Sequence, residues 1–333
     1  MTLPFAKQGP LHRPPVVERA ADLARKAAAL GRASKADNTR KGYAGDGKRF
    51  TAWCQHLGLP AMPAAPETIG LYIAALVEAG KAASTIDRAV SAIAHLHKLQ
   101  GHPLNRKHPA IADILAGARR TVKYAPRQAR PLVAGDIRRL LEVCSNNLAG
   151  IRNRALLLVG FAGALRGAEL VGLTVEDLRE SAGGYTLRLA SSKGDQEGRG
   201  QLVGLPRDDL NPNLCPVRAV KAWLKAADIE AGPIFFPINK RDQVELFGNP
   251  LSDRSLRKIL KRLAARAGLK PDEVALTSGH SLRAGHLTTG YLNEVEERAL
   301  QDQARHKDPK TTRRYFRPAT VFQGNSAKGL LAK

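Results

Sequence analysis

Between Arg119 and Arg130 the chain carries Arg119, Arg120, Lys123, Arg127 and Arg130, with Pro126 and few apolar side chains among them. Such a run cannot close a hydrophobic core, so it divides the sequence into two regions that must each bury their own. A length of 333 residues agrees with two domains. The expected organisation is an N-terminal arm over 1–32, a first domain over 33–118, a linker over 119–130, a second domain over 131–320 and a tail over 321–333.

Before the linker the periodicity is helical. A Pro-rich start leads into a basic, Ala-rich helical segment, Val17 to Leu30. Asp37-Asn38 precede a helix with Tyr43, Phe50, Trp53 and Leu57 on one apolar face. Gly58 and Pro60 end it, and Pro66-Glu67 open a second, Thr68 to Ala79. Ser84 starts a third through Leu99, striped by Ile86, Val90, Ile93 and Leu96, and a short helix from Ala110 to Arg119 follows. After the linker, helices are expected over Ile137–Cys144, over one long buried run Ala155–Leu170, and over Pro216–Asp228, Ser252–Ala267, Ser281–Asn293 and Val295–Asp302. Tyr185–Ala190 and Gln201–Leu205 alternate apolar and polar residues, as paired strands do, around a polar hairpin loop from Ser191 to Gly200. The fold class is therefore mainly α: a helical bundle, then a larger α-rich domain holding a small antiparallel sheet.

The 53 Lys and Arg against 30 Asp and Glu leave +23, which calls for a polyanionic partner. Nucleic acid is favoured over an anionic membrane surface, because no basic helix is strongly amphipathic. The longest apolar run, Ala155 to Leu165, is too short to span a bilayer. Cys54, Cys144 and Cys215 stand far apart, as buried thiols in a reducing compartment do. The proline-rich, charged N-terminus is no secretory signal. A cytoplasmic, nucleoid-associated protein is expected.

The chemistry gathers after residue 160. Gly279-His280-Ser281-Leu282-Arg283 sets a histidine and an arginine three apart, on one face of a helix. Arg305-His306 then precedes Tyr315 by nine residues from the histidine. These supply a proton acceptor, an anion clamp and a nucleophile. A phenol titrates near 10, so it attacks only beside cations or a base. Of six tyrosines, Tyr43, Tyr72 and Tyr185 fall on apolar stripes, Tyr124 lies in the linker and Tyr291 lies on a helix; only Tyr315 has the upstream histidine. Upstream, Gly163 to Leu170 places Arg166 at the end of an apolar run. A buried guanidinium needs an anion, and Glu169 by itself would account for it as a structural pair. Lys193, in the hairpin loop, reads by position as a solvated lysine. His286, three beyond Arg283, has no carboxylate at metal spacing, and zinc is rejected.

Taken together, the order and spacing of these boxes resemble those of the tyrosine recombinases, or phage integrases. Gly-x-Leu-Arg-x-x-Glu-Leu at 163–170 is similar to their first arginine box. The resemblance implies that Arg166 and Arg283 grip one phosphate, that Glu169 holds Arg166, and that Tyr315 attacks. It implies proton handling by His280, donation to the phosphate by His306, and protonation of the departing 5′ oxygen by Lys193, preferred over Arg199. A 3′-phosphotyrosyl intermediate stores the bond energy, so no ATP, metal or other cofactor is implied. The N-terminal bundle looks like a SAM-like core-binding domain. Implied partners are double-stranded DNA, further copies of the chain in a tetrameric synapse with the tail docking on a neighbour, and accessory or directionality proteins. Arg305 stands where the family often has glycine, a departure expected to touch only the turn; Ala284 stands where many members have histidine. Two alternatives share the chemistry or the fold: a type IB topoisomerase and a catalytically silent DNA-binding protein. The two-domain layout speaks against the first, and the retained Arg166, Lys193, His280, Arg283, His306 and Tyr315 speak against the second.

Overall fold

The computed structural model describes residues 15–33, 35, 37–122, 128–189 and 200–320. The chain forms two compact units, Met1–Pro126 and Arg127–Lys333. In the first, α1 spans Pro15–Ala33, α2 Asp37–His56, α3 Pro66–Glu78, α4 Ala83–Leu99 and α5 Pro109–Thr121. Proline opens α3 and α5, where its missing N–H leaves no helical bond unmade. Phe50 and Cys54 of α2, Ile69, Tyr72 and Ile73 of α3, Ile86, Val90 and Ile93 of α4 and Ile111 of α5 close its core. The last turn of α5 contains Arg119 and Arg120, so the helix continues into the basic run, where cations favour a helix C-terminus.

The second unit contains α6 (Ala134–Glu142), α7 (Leu148–Ala162), α8 (Gly167–Val171), strands β1 (Leu178–Ser181), β2 (Gly184–Leu189) and β3 (Gln201–Pro206), then α9 (Pro216–Ala227), α10 (Asp253–Arg266), α11 (Pro271–Leu276), α12 (His280–Leu292), α13 (Glu297–Ala304) and α14 (Pro309–Thr320). The sheet is antiparallel in the order β1-β2-β3, with Leu187 opposite Val203 and Leu189 opposite Gln201. Tyr185, Leu187, Leu189, Val203 and Leu205 turn one face into a core shared with α7, α9 and α10. Strand β1 escaped the sequence reading because three of its four side chains are exposed and carry no alternation. Among the described residues no helix is long and apolar enough to cross a membrane.

One expected element is corrected. The run Ala155–Leu170 is two helices, not one. Helix α7 starts earlier, at Leu148, because Asn147 accepts from the Gly150 N–H (3.0 Å) and Asp242 accepts from the N–H groups of Leu148 (2.9 Å) and Ala149 (3.1 Å). It ends in a Schellman turn. Ala164 takes a left-handed φ of 44°, its N–H returns to the Phe161 carbonyl (3.1 Å), and that of Leu165 returns to the Gly160 carbonyl (3.1 Å). The apolar pattern hides this break because Leu165 and Leu170 remain in the same core. Helix α13 ends likewise, with Arg305 at φ 57° and the His306 N–H on the Gln301 carbonyl (3.0 Å). These two turns place the site.

Candidate active site

Arg166 leaves the first turn as the N-cap of α8. Glu169, one turn into α8, accepts from the Arg166 backbone N–H (2.8 Å) with one carboxylate oxygen and from its guanidinium with the other. The first of these oxygens also accepts from Arg305 Nη2 at 2.7 Å. Burial pushes the Glu169 carboxyl up, but Arg305 and the two Arg166 contacts outweigh it and hold the group below the usual carboxylate range. The departure at Arg305 is therefore not confined to its turn. Its side chain is 3% exposed and runs back through the interior to Glu169.

Two glycines bring the arginine box against the histidine box. A Cβ on Gly279 would lie 2.9 Å from the Gly167 Cα, and one on Gly167 would lie 2.1 Å from Asp253 Oδ1. Only a hydrogen at each position lets the start of α8 meet the start of α12. His280 is the first residue of α12, and Arg283, one turn on, is fully buried. Arg283 Nη1 donates to the Ala164 carbonyl (2.8 Å) and Nη2 to the Ala304 carbonyl, while its buried Nε has no hydrogen-bond partner. Arg283 makes no ion pair among the described residues. Burial, then the charges of Arg166 and Arg305, push its pKa down to about 10, so it stays cationic at neutral pH.

Helix α14 is rooted by Phe316, which is buried and stacks on Tyr291 with centroids 4.4 Å apart. That anchor sets the preceding side chain, Tyr315, into the site. Its hydroxyl lies 2.7 Å from His280 Nε2, and its ring lies parallel to His306, 5.7 Å between centroids and 7° between planes. His280 keeps an edge open to solvent. Desolvation, followed by the charges of Arg283 and Arg166, lowers its pKa below the ordinary histidine value. His306 is buried, and its Nδ1 lies 2.8 Å from the hydroxyl of the fully buried Thr312. Burial first, then Arg283, Arg166, Arg305 and His280, push His306 down to about 3. Both imidazoles are thus neutral near pH 7. Burial raises the Tyr315 phenol above its ordinary value, against the opposing charges of Arg283, Arg166 and Arg314. Of the basic residues beside it in sequence, Arg313 is taken up by Glu297 (2.9 Å).

Five of the expected side chains, Arg166, His280, Arg283, His306 and Tyr315, meet here together with Glu169. Lys193 and its rival Arg199 lie in 190–199, outside the described residues. The strands that flank this segment are held to the site by Gln303, whose Nε2 donates to the Gly204 carbonyl of β3 (2.9 Å) and the Ala162 carbonyl (2.8 Å). Gln303 and Thr312 were missed in the sequence, and Arg305 was noted only as a change in its turn. Their polar side chains follow no chemical spacing rule, and only the fold shows what they touch.

Comparison with known proteins gives the family and the fold. The Phage integrase family model matches residues 131–320. An integrase/recombinase XerD homolog of Selenomonas ruminantium is 37% identical over 305 residues, 90% of this chain and 87% of that one. The chain belongs to the phage integrase family. Another relative of this tyrosine recombinase, XerD of Rhizobium meliloti (strain 1021), is 28% identical over 84% of this chain and 85% of its own. The recombinase shares its fold with the Tn1549 transposon integrase solved with transposon right end DNA, at a TM-score of 0.59 and 16% identity, over 86% of this chain and 91% of that one. A lambda integrase dimer bound to a COC' core site gives 0.56 and 18%, over 88% and 93%.

Proposed function

We propose that this recombinase cuts and rejoins duplex DNA at specific sites, with Tyr315 as nucleophile. The carrying observation is the Tyr315 hydroxyl on His280 Nε2, beside three buried or half-buried arginines of which Glu169 holds two, Arg166 and Arg305, and backbone carbonyls hold the third, Arg283. A DNA phosphate is the anion this cluster lacks. Arg166, with its side chain 31% exposed, is the guanidinium that solvent reaches, and Arg283 holds a charge with an unpaired Nε. As Tyr315 Oη bonds to phosphorus, its proton passes to His280 Nε2. The P–O5′ bond breaks with the DNA 3′ phosphate left on the tyrosine. Lys193 gives the departing 5′ oxygen its proton. The Thr312 hydroxyl donates to His306 Nδ1, which leaves Nε2–H to donate to a non-bridging oxygen. Rejoining runs the steps backwards from a 5′ hydroxyl of the partner strand, so the bond energy never leaves the covalent complex.

In this reading residues 33–118 are the core-binding domain and 131–320 the catalytic domain, joined by 119–130. Relatives solved on DNA, one of them a dimer on a core site, support a duplex partner and an assembly of several copies. The place of work is the nucleoid, where that DNA is. The test is Tyr315→Phe on a nicked suicide duplex. The variant should bind the duplex as wild type does and form no covalent adduct. An adduct at the wild-type level would move the nucleophile elsewhere.

A further inference from the structure

We propose that Arg305 is a positioning residue of the strand-cleavage reaction, locking Glu169, and through it Arg166, while shaping the turn that presents His306. The inference rests on reading this site as a recombinase centre. Arg305 occupies the left-handed position of a Schellman turn, where glycine has no steric penalty and an arginine does. The backbone alone therefore gives no reason for an arginine here. The side chain does. Four acceptors converge on the guanidinium: the carbonyls of Gln303 (2.8 Å), Gly163 (3.2 Å) and Ala164 (3.3 Å), and Glu169 (2.7 Å). Its Nε is buried and unpartnered, as that of Arg283 is.

The consequence lies in how charge is shared. Glu169 receives two guanidiniums and one backbone N–H, so neither carboxylate oxygen is free to rotate away from Arg166. The Ala164 carbonyl accepts from both Arg305 and Arg283, so the left-handed turn after α7 fixes two guanidiniums at once. With its side chain 3% exposed, Arg305 cannot touch DNA, and it acts through Glu169, Arg166 and the placement of His306. Removing it leaves a buried carboxylate with one cation instead of two. The groups that face Glu169 are Arg166 and Arg305, and those around His306 are Arg166, Arg283, Arg305, His280 and Tyr315. Loss of Arg305 therefore raises the pKa of both Glu169 and His306.

The experiment compares wild type, Arg305→Gly, Arg305→Lys, Glu169→Gln and the double variant Arg305→Gly/Glu169→Gln. It measures single-turnover cleavage at saturating concentrations of a nicked duplex taken from the DNA flanking the gene. Arg305→Gly should melt within a few degrees of wild type and bind the duplex equally. Its cleavage should be slower by roughly 10- to 100-fold, as when a reacting group is held slightly out of place. Raised Glu169 and His306 should add further proton uptake to the acid limb set by His280, making that limb of its rate profile steeper than in wild type. Arg305→Lys, which keeps the charge but not the fork, should keep the wild-type acid limb at a reduced rate. The losses from Arg305→Gly and Glu169→Gln should fall well short of multiplying, because both break one clamp. Wild-type cleavage by Arg305→Gly, or losses that multiply independently, would overturn the proposal. Should Arg305→Gly unfold, an Arg305→Lys rate and pH profile both equal to wild type would overturn it instead. If wild type itself forms no adduct, the recombinase reading fails first and takes this inference with it.

Discussion

The hydroxyl of Tyr315 meets Nε2 of His280 at 2.7 Å, although the two residues lie 35 positions apart. A neutral imidazole can take the phenol proton only while it is itself unprotonated. Because His280 is held below the ordinary 6.5, its acceptor state persists as pH falls through that value and is lost only further down. Cleavage should therefore be flat near pH 7 and decline on an acid limb below about 6.5. His280→Gln should slow cleavage by about 10² to 10⁴, the range for a lost general base. A pH-rate profile of single-turnover cleavage checks both. An acid limb centred above 6.5 would remove His280 from this role.

Gly279 should not tolerate alanine. Its φ of −55° suits any residue, so the cost is one of space: the new methyl meets Gly167 at 2.9 Å, where something must shift. Overpacking of this kind costs about 1–3 kcal/mol. Gly279→Ala should lower the melting temperature and also separate the starts of α8 and α12, reducing cleavage more than DNA affinity. Calorimetry with parallel binding and cleavage assays distinguishes this from a neutral surface change. Unaltered melting and cleavage would show that the two boxes do not need this approach.

Affinity for duplex DNA should fall steeply with salt. A chain at +23 that neutralises many phosphates releases as many counterions. Titrations between roughly 50 and 200 mM salt should show affinity dropping by orders of magnitude, linearly on log axes. A flat response would contradict the picture of a duplex gripped through its backbone.

Lys193 is expected to be the general acid. The expelled 5′ alkoxide leaves poorly unless protonated; Arg283 spends both Nη groups on the Ala164 and Ala304 carbonyls and Arg166 is held by Glu169, so both are set as clamps on the phosphate and not as proton donors to the leaving oxygen. Lys193→Ala should cleave about 10² to 10⁴ times more slowly. A substrate with sulfur at the bridging 5′ position, whose leaving group needs no proton, should restore most of that rate to Lys193→Ala and none to Arg166→Ala. Rescue of Arg199→Ala or His306→Ala instead would transfer the role to that residue.

Most helices of both units were legible because their apolar residues repeat at the helical period and proline or glycine marks their ends; the short α11 and the basic α14, which carries Tyr315, were not read as elements. The break inside Ala155–Leu170 was not, since Leu165 and Leu170 carry the apolar pattern across a turn made by an alanine in a glycine position. Arg305 was misjudged for a related reason. A residue in a glycine slot reads as a local change, yet its long side chain crosses the interior to a carboxylate 136 residues earlier.

The sequence by itself determined the chemical inventory: two arginine boxes, two histidines and a tyrosine in an order that resembles the tyrosine recombinases, on helices whose periods are local properties of the chain. Tertiary structure alone decided which of those groups touch. The Gly167–Gly279 approach, the shared Ala164 carbonyl, the seat of Thr312 under His306 and the second guanidinium on Glu169 all join residues distant in sequence or hidden by a turn. Such contacts depend on how whole helices pack and on which buried polar atoms find partners. No local pattern encodes that, because burial is set by the neighbours a residue acquires when the chain folds.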